Sequence, residues 1–498
     1  MTNEEQQLEQ IHNFEGKYPK QLWHLFMVEM WERFCFYGMR GVLALFMVDQ
    51  LLLNDSESNL KYGAIQAFVY AFTFIGGIFA DKILGFKKSL VFGGIVMIAG
   101  NLLIGINPHD FFYYGISLTI IGTGFFKPNI SSMVGELYRE GDPRRDAGFS
   151  LFYSGINIGA LLGGIICVYL GQNYGWNYAF LVAAAVMVIG VVFFLSIRKE
   201  LGPIGNSPIQ NLAPTTRKTR EILVYIGAIL CLPLIYIMIN NTDYTDLFMF
   251  IVGPVALIYF FYQLIKIKGS SGRQKFFAAF VMIAFSILFF AIFEQAGGSL
   301  ALFAKSNVSP SLFGIETNQS FPNIVNNSAN SLFVIIFAPL LGIAWIWMAK
   351  KKIEPNTVIK FGLAFLLLAV AYYIFFSLRF FANEQGITSL GIFTLAYFVV
   401  TLAELCLSPI GLSMVTKLSP KNLAGMMMGL WFLASAYGQY LAGILGAGMS
   451  DPSPNASLVD KLMAYTDGYY QLAIYSLVAG ILLIIISPLI RKLMHEVK

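Results

Sequence analysis

Seven ionisable side chains stand inside long apolar stretches of the sequence, where charge is costly. A charged group at the centre of a membrane helix costs roughly 3 kcal/mol on insertion scales, so we expect these residues to face one another or water. Groups of this kind mark substrate pathways and proton relays in membrane proteins. The seven residues are Glu29, Glu32, Arg33, Arg40, Lys127, Glu294 and Glu404.

The first apolar stretch carries its polar groups at helical spacing. Glu29, Arg33, Tyr37 and Arg40 recur three or four residues apart. A helix would align them on one face over about 16 Å, at about 1.5 Å per residue. We expect this face to line a cavity or a buried interface, where a carboxylate can exchange an ion pair for a proton.

The sign of the buried charge differs between the two halves of the chain. The first half carries three cations and two carboxylates, whereas the second half carries only Glu294 and Glu404. A ligand with a carboxylate and an ammonium group would fit between such faces, with its carboxylate toward the first half. The alternative is a set of permanent ion pairs that lock the helices, although buried pairs seldom add net stability.

The composition predicts an all-α membrane protein, whose helices would position these ionisable side chains. The chain has 498 residues, 57% hydrophobic and only 12% charged, which excludes an ordinary soluble fold. We predict fourteen apolar spans of about 20 residues or more, arranged as two six-helix bundles with two extra helices between them. The bundles are predicted at 1–200 and 271–498, with a cytoplasmic linker at 201–219 and the extra helices at 220–270. Glycine-rich runs around Gly76, Gly163 and Gly443 indicate close helix packing.

The distribution of Lys and Arg predicts which loops face the cytoplasm. Basic residues concentrate in alternate loops, including Lys87, Lys88, Arg144 and Arg145, which lie on the same side as the hydrophilic N-terminal tail. The loops predicted to be external carry only Lys61, Lys305, Arg379 and Lys461. Both termini are therefore predicted to be cytoplasmic.

The sequence does not favour an enzyme or a resident cofactor. The four cysteines all lie in apolar stretches, which argues against a metal site or a disulfide framework. A GSSG sequence at 269–272 could be read as an intramembrane serine protease motif, but its position predicts a flexible linker. No Walker motif is present, so ATP is not expected to drive this protein.

Six short motifs resemble those of one transporter family. The EMWERFCFYG sequence at 29–38 resembles the ExxERFxYYG motif of the proton-dependent oligopeptide transporter family, within the major facilitator superfamily. Phe36 stands where that motif usually has its first Tyr. The other motifs are the loop residues Gly77, Asp81, Gly85, Lys87 and Lys88, GTGFFKPN at 122–129, FYSGIN at 152–157, FEQ at 293–295 and ELCLS at 404–408.

The resemblance implies a major facilitator fold and proton-coupled import of di- and tripeptides by alternating access. The residues implied to receive the peptide carboxylate are Arg33, Arg40 and Lys127. Those implied to hold the peptide amino terminus are Glu404, Asn157 and Asn330. Those implied to line the site and its side-chain pockets are Tyr37, Tyr70, Trp431 and Ser435.

The resemblance also implies roles in coupling and gating. The proton-coupling residues implied are Glu29, Glu32 and Glu294. The gating residues implied are Gly77, Asp81 and Gly85, with Arg40 and Glu294 as an outer pair. The extra helices are typical of bacterial members, which implies a multi-pass protein of the bacterial inner membrane. We also expect a single chain to work as a monomer. Another small zwitterion or an anion, such as an amino acid, a drug or nitrate, remains the alternative cargo, because the fold does not fix it.

Overall fold

The chain is almost entirely helical, as its composition predicts. The structure, a computed structural model, describes residues 3–312, 314–420, 423–450, 453 and 456–495. The α-helices of this part of the chain are α1 (Asn3–His12), α2 (Lys20–Asp49), α3 (Asp55–Phe79), α4 (Phe86–Ile106), α5 (Pro108–Glu136), α6 (Arg145–Asn173), α7 (Trp176–Ile197), α8 (Pro214–Leu230), α9 (Leu232–Asn240), α10 (Thr242–Lys266), α11 (Ser270–Phe293), α12 (Ser299–Asn307), α13 (Phe321–Lys350), α14 (Thr357–Ser377), α15 (Leu390–Leu418), α16 (Ala424–Met449) and α17 (Leu458–Met494).

Most of these helices are long and apolar enough to cross a membrane. Among the described residues, 11 helical segments meet that description. Three further helices, α2, α5 and α16, have 30, 29 and 26 residues and coincide with predicted spans. Helix α2 is the most polar of the three, because it carries the charged stripe identified in the sequence. The predicted all-α membrane fold is therefore confirmed.

Two compact units make up the structure. The first unit comprises residues 1–43 and 68–240, and the second comprises residues 44–67 and 241–498. Helices α2 and α3 each contribute to both units, and the extra helices are divided, with α8 and α9 in the first and α10 in the second.

Close approach of glycine backbones sets the packing inside each unit. In the first unit, a Cβ atom added to Gly163 would lie less than 3.0 Å from the carbonyl oxygen of Phe34. In the second unit, a Cβ atom on Gly443 would lie 2.8 Å from the Cα atom of Gly63. Real Cβ atoms do not approach so closely, so glycine is needed at these crossings, as predicted around Gly163 and Gly443.

The N-terminal tail contains a helix that its hydrophilic sequence did not predict. Helix α1 lies in the first unit, where the His12 ring Nε2 lies 3.0 Å from the carbonyl oxygen of Glu136. The Arg144 guanidinium donates to the carbonyl oxygens of Phe14 and Gly16, at 3.2 Å each, and lies 3.8 Å from the centre of the Phe14 ring. Arg144 also donates hydrogen bonds to Asp142, which lowers the pKa of that loop carboxyl. These contacts tie the tail to the loop between α5 and α6.

The linker after α7 is also folded. The Lys87 side chain donates to the carbonyl oxygen of Gly202 at 2.5 Å and to Asn206 Oδ1 at 3.1 Å. The Lys87 backbone N–H donates to the carbonyl oxygen of Gly205 at 3.0 Å. The linker therefore packs against the beginning of α4.

Candidate functional site

Three ionisable residues of α2 form a buried triad in the first unit. Glu29, Glu32 and Arg33 are only 2%, 0% and 1% exposed. Arg33 Nε lies 3.1 Å from Glu29 Oε1 and forms a second ion pair with Glu32 Oε2. One guanidinium therefore serves two carboxylates, and the contact with Glu29 follows from their spacing of four residues on the same helix.

The triad is not fully satisfied by hydrogen bonds. Glu29 Oε2, Glu32 Oε1 and Arg33 Nη2 are buried and have no hydrogen-bond partner among the residues that the structure describes. Buried polar atoms are nearly always hydrogen-bonded in a structural core. Incomplete pairing suits carboxylates that exchange partners better than it suits a permanent lock.

The other two cations identified in the apolar stretches of the first unit, Lys127 and Arg40, lie against aromatic rings. Lys127 Nζ, from α5, lies 4.5 Å from the centre of the Tyr70 ring and 6.0 Å from that of the Phe36 ring. The Arg33 guanidinium lies 5.4 Å from the same Phe36 ring, on its own helix. Two cations thus share one aromatic side chain, and cation–π attraction of about 0.5–2 kcal/mol each helps to hold them together.

Arg40 extends this cluster one turn further along α2. Its guanidinium lies 5.6 Å from the centre of the Tyr37 ring, and the Tyr37 and Phe36 rings meet edge to face at 5.3 Å. The structure therefore brings Glu29, Glu32, Arg33, Tyr37, Arg40, Tyr70 and Lys127 into one set of linked contacts, which we call the cationic cluster.

Asn157 and the loop residues lie apart from these contacts. Asn157 is 7% exposed, and its amide donates to the carbonyl oxygen of Tyr153 within α6 at 3.0 Å. Asp81 is exposed in a π-helical turn at Ala80–Leu84, and a Cβ atom added to Gly77 would make only an ordinary contact with Pro128, at 3.8 Å. Gly85 follows with a φ of 74°, and a Cβ there would lie 2.5 Å from the backbone of Asn206. Glycine is therefore required at position 85, because the backbone of the linker at Asn206 passes close to it.

A second polar group lies in the second unit, between α13 and α15. Asn330 Nδ2 donates to Glu404 Oε2 at 2.8 Å and lies 3.2 Å from Thr401 Oγ1. Glu404 is half-buried. We call Asn330, Thr401 and Glu404 the acidic cluster; the hydrogen-bond donor from Asn330 to its carboxylate is a neutral amide.

Trp431 and Ser435 stand one turn apart on α16. Both are buried, at 8% and 7% exposure, and Ser435 Oγ donates to the carbonyl oxygen of Trp431 at 3.1 Å. The Trp431 ring meets Phe290 edge to face at 6.3 Å. This arrangement gives α16 a buried aromatic surface with one hydroxyl beside it.

Glu294 marks a break in the seventh predicted core helix. Helix α11 ends at Phe293, and residues Glu294–Gly297 form a 3-10 turn before α12 begins at Ser299. Glu294 is 6% exposed. A carboxylate at such a break can act on the backbone as well as on a ligand, because broken helices leave backbone groups that need partners.

Sequence reasoning missed the side chains that support this break. The Tyr372 hydroxyl donates to the carbonyl oxygen of Ile292 at 2.5 Å, and the Asn326 amide donates to that of Ala296 at 2.7 Å. Gln295 Nε2 donates to the carbonyl oxygens of Ala291 and Ala442 at 3.0 and 2.9 Å. Only Gln295 carried a signal, as part of the FEQ motif, because the others belong to helices distant in sequence.

Ionisable groups buried among at least eleven long apolar helices define a multi-pass membrane protein of the transporter type. A sequence model described as the POT family matches residues 87–461, about three quarters of the chain. The chain belongs to the POT family, and the resemblance found in its motifs is confirmed.

Individual relatives agree with this assignment. The chain is 33% identical over 491 residues to the uncharacterized transporter YclF of Bacillus subtilis (strain 168), covering 96% of both chains. It is 31% identical to dipeptide and tripeptide permease B of Aliivibrio fischeri (strain MJ11), covering 96% of this chain and 95% of that one. A crystal structure of the peptide transporter POT in complex with sulfate matches with a TM-score of 0.82 and 30% identity, covering 99% and 100% of the two chains. The predicted major facilitator fold is thereby confirmed.

Proposed function

We propose that this chain is a proton-coupled symporter that imports di- and tripeptides by alternating access. The relatives named as dipeptide and tripeptide permeases support the cargo, and membership of the POT family supports the coupling. The observation that carries the proposal is the buried triad of Glu29, Glu32 and Arg33 beside a second cation, Lys127.

The cationic cluster receives the carboxylate of the peptide in this proposal. Arg33, Arg40 and Lys127 supply the positive charge, and a charge-assisted hydrogen bond from such a group is about twice as strong as a neutral one. Tyr37 and Tyr70, whose rings face Arg40 and Lys127, form the neighbouring wall.

The acidic cluster receives the peptide amino terminus. Glu404 attracts the ammonium group, while Asn330 orients the carboxylate through its 2.8 Å hydrogen bond. Asn157 contributes a further amide, and Trp431 and Ser435 line a pocket for a peptide side chain.

Proton coupling follows from the exchange of partners at Arg33. When a proton neutralises Glu29 or Glu32, the guanidinium loses one of its two ionic partners and becomes able to bind a peptide carboxylate. Glu294 acts in the second unit, at the break between α11 and α12. Each proton that moves inward down the membrane potential supplies about 2.3 kcal/mol per 100 mV.

The gating residues complete the mechanism. Gly77, Asp81 and Gly85, together with Arg40 and Glu294, switch between two arrangements as the carrier opens to alternate sides. In the structure, Gly85 lies against the folded linker, and Lys87 is hydrogen-bonded to it.

The chain functions in the bacterial inner membrane with both termini in the cytoplasm, and a single chain is the transport unit. Its basic loops support this orientation. It carries out no covalent chemistry and needs no resident cofactor, since protons are the coupling ion.

Uptake into proteoliposomes tests this function. With a pH gradient, inside alkaline, we expect labelled dialanine to accumulate, and tripeptides to compete while free amino acids and nitrate do not. Accumulation that only amino acids or nitrate inhibit would identify the alternative cargo.

The substitution Glu294→Gln tests the coupling. We expect proton-driven accumulation to be lost while peptide counterflow continues, because an amide keeps the shape of the side chain but cannot release a proton. Glu316→Gln, at an exposed position, is the matched control and should behave as the unaltered protein. Accumulation of peptide against a gradient by Glu294→Gln would remove the role proposed for Glu294.

A further inference from the structure

A cavity with a basic entrance lies at the beginning of α4, within the first unit. Its volume is about 760 Å³, and its walls come from α4, the end of α7, α8 and the folded linker. None of the residues of the cationic cluster lines it. The proposed peptide site therefore does not explain this cavity.

Four basic residues surround the cavity at one end. Lys87 and Lys88 lie in the first turn of α4, and Arg198 and Lys199 follow the last turn of α7. Arg198 and Lys199 are exposed and form no ion pair within the described part of the chain. Their charges are therefore available to a ligand.

The acidic groups nearby neutralise only part of this charge. Glu221, on α8, accepts from Lys88 Nζ at 2.6 Å and lies 3.9 Å from Arg217. Glu4 accepts from the linker amides of Asn206 and Gln210 and attracts Lys87 at longer range. Glu200 is paired with Lys20, at 3.0 Å.

The other end of the cavity is apolar. Along α4, Phe92 and Ile95 follow Lys88 at helical spacing, and Ile95 is 54% exposed. The Phe92 ring packs against Tyr225 of α8 with centroids 4.7 Å apart. The same two helices are joined by the ion pair of Lys88 and Glu221, one turn toward the charged end. The cavity thus changes from cationic to apolar over about two turns of α4.

We propose that this cavity binds one anionic phospholipid of the leaflet on the side of α1. The phosphate lies among Lys88, Arg198 and Lys199, and an acyl chain follows Phe92 and Ile95 along α4. Helix α8, part of the extra pair between the bundles, supplies one wall of the site, which gives this pair a function in lipid recognition.

The combination of charge and apolar surface selects a lipid over a soluble anion. Free phosphate would gain from the basic residues alone, and the attraction of an exposed cation for an anion is weak because water and salt screen it. An acyl chain adds a favourable contribution with each CH₂ group that it buries against the apolar wall. A neutral lipid would gain from the apolar wall but not from the cations.

Lipid binding to the full-length protein tests the proposal. Purified protein in a neutral detergent is titrated with palmitoyl-oleoyl phosphatidylglycerol, and binding is measured by native mass spectrometry; palmitoyl-oleoyl phosphatidylcholine and glycerol 3-phosphate are titrated in parallel. We expect phosphatidylglycerol to bind most tightly. Arg198→Gln with Lys199→Gln should weaken it about tenfold, while Lys350→Gln with Lys351→Gln, an equally exposed basic pair outside the cavity, should change it less than twofold.

The substitution Glu221→Gln separates charge from packing. If the site recognises an anion, loss of the Glu221 charge releases Lys88 and should strengthen phosphatidylglycerol binding severalfold. If α8 served only as packing for α4, the same substitution would weaken or leave unchanged the binding of every lipid.

Three outcomes would overturn the proposal. They are equal binding of phosphatidylcholine and phosphatidylglycerol, competition by glycerol 3-phosphate at the concentration at which the lipid binds, and equal effects of the Arg198 and Lys350 double substitutions.

Discussion

The cationic cluster and the acidic cluster hold their carboxylates in different ways. In the first, Glu29 and Glu32 share the guanidinium of Arg33, so two negative charges have one cation as a common partner on the same helix. In the second, Glu404 accepts a hydrogen bond from the amide of Asn330, which leaves its charge uncompensated by that partner. The carboxylates of the two clusters therefore have different kinds of partner.

This difference supports the proposed division between proton coupling and recognition of the peptide amino terminus. A proton on Glu29 or Glu32 changes the number of ionic partners of Arg33, so it alters the ability of the first unit to bind an anion. A proton on Glu404 would instead weaken its attraction for an ammonium group. In the proposed mechanism, coupling in the first unit therefore uses the ion-paired carboxylates Glu29 and Glu32, and Glu404 recognises the amino terminus of the peptide.

The largest expected effect comes from Arg33→Leu. This substitution leaves two carboxylates buried without their cation, and breaking a buried ion pair from one side costs about 3–5 kcal/mol. We expect a clear loss of thermal stability in detergent, measured by the unfolding of the purified protein, together with loss of uptake.

A neutral version of the triad provides the control. Glu29→Gln, Glu32→Gln and Arg33→Met combined should recover part of the stability but none of the proton-driven uptake, because the triad then contains no unpaired charge and can exchange no proton, while Lys127 loses two nearby carboxylates. If Arg33→Leu alone is as stable as the parent protein, the triad does not balance these charges.

The next effect, in binding rather than in folding, comes from Lys127→Ala. Hydrogen bonds to charged groups contribute about 1.5–3 kcal/mol, so affinity for dialanine should fall about tenfold to a hundredfold. Affinity for the C-terminally amidated peptide should change little. Calorimetric or competition binding measures both. Tyr70→Phe, which keeps the ring below Lys127, is the matched control and should preserve the preference for a free carboxylate; equal losses for the two peptides would exclude the proposed contact.

A smaller effect is expected from Asn330→Ala in the acidic cluster. Loss of one hydrogen bond to a charged group leaves Glu404 less well oriented, and we expect affinity for dialanine to fall about fivefold. The affinity for N-acetylated dialanine, which lacks the ammonium group, should be low before and after the change. Thr401→Val, which removes a neighbour of Asn330, should have a lesser effect. A greater loss for the acetylated peptide would contradict the assignment of this cluster.

The positions of the membrane-spanning helices and the cationic cluster could be predicted from the sequence, because both depend on local patterns. Apolar stretches of sufficient length predict spans, and residues four apart on α2 must share a face, so the contact between Glu29 and Arg33 follows from spacing alone.

Other features depend on tertiary contacts that no local pattern contains. Helix α1 is hydrophilic and is fixed by contacts of His12 and by the docking of the following residues on Arg144, far along the chain. The break at Glu294 is satisfied by side chains from other helices, among them Tyr372 and Asn326. Periodicity predicts an uninterrupted helix there, whereas the position of the break depends on partners that sequence spacing cannot identify.

The smallest effect, and the finest test of the comparison, is Phe36→Tyr. Phe36 departs from the usual motif, yet its ring lies near both Arg33 and Lys127, an interaction that needs only the π face. Adding the hydroxyl should therefore leave stability and dialanine affinity within about twofold of the parent, because tyrosine presents the same face. It should instead change the ranking of dipeptides by side chain, toward those that can hydrogen-bond a hydroxyl, measured by competition for dialanine uptake. Phe36→Leu, which removes the π face at similar size, should weaken dialanine binding more than Phe36→Tyr does, since both cations lose a shared contact; the reverse order would show that the ring fills space and does not hold charge.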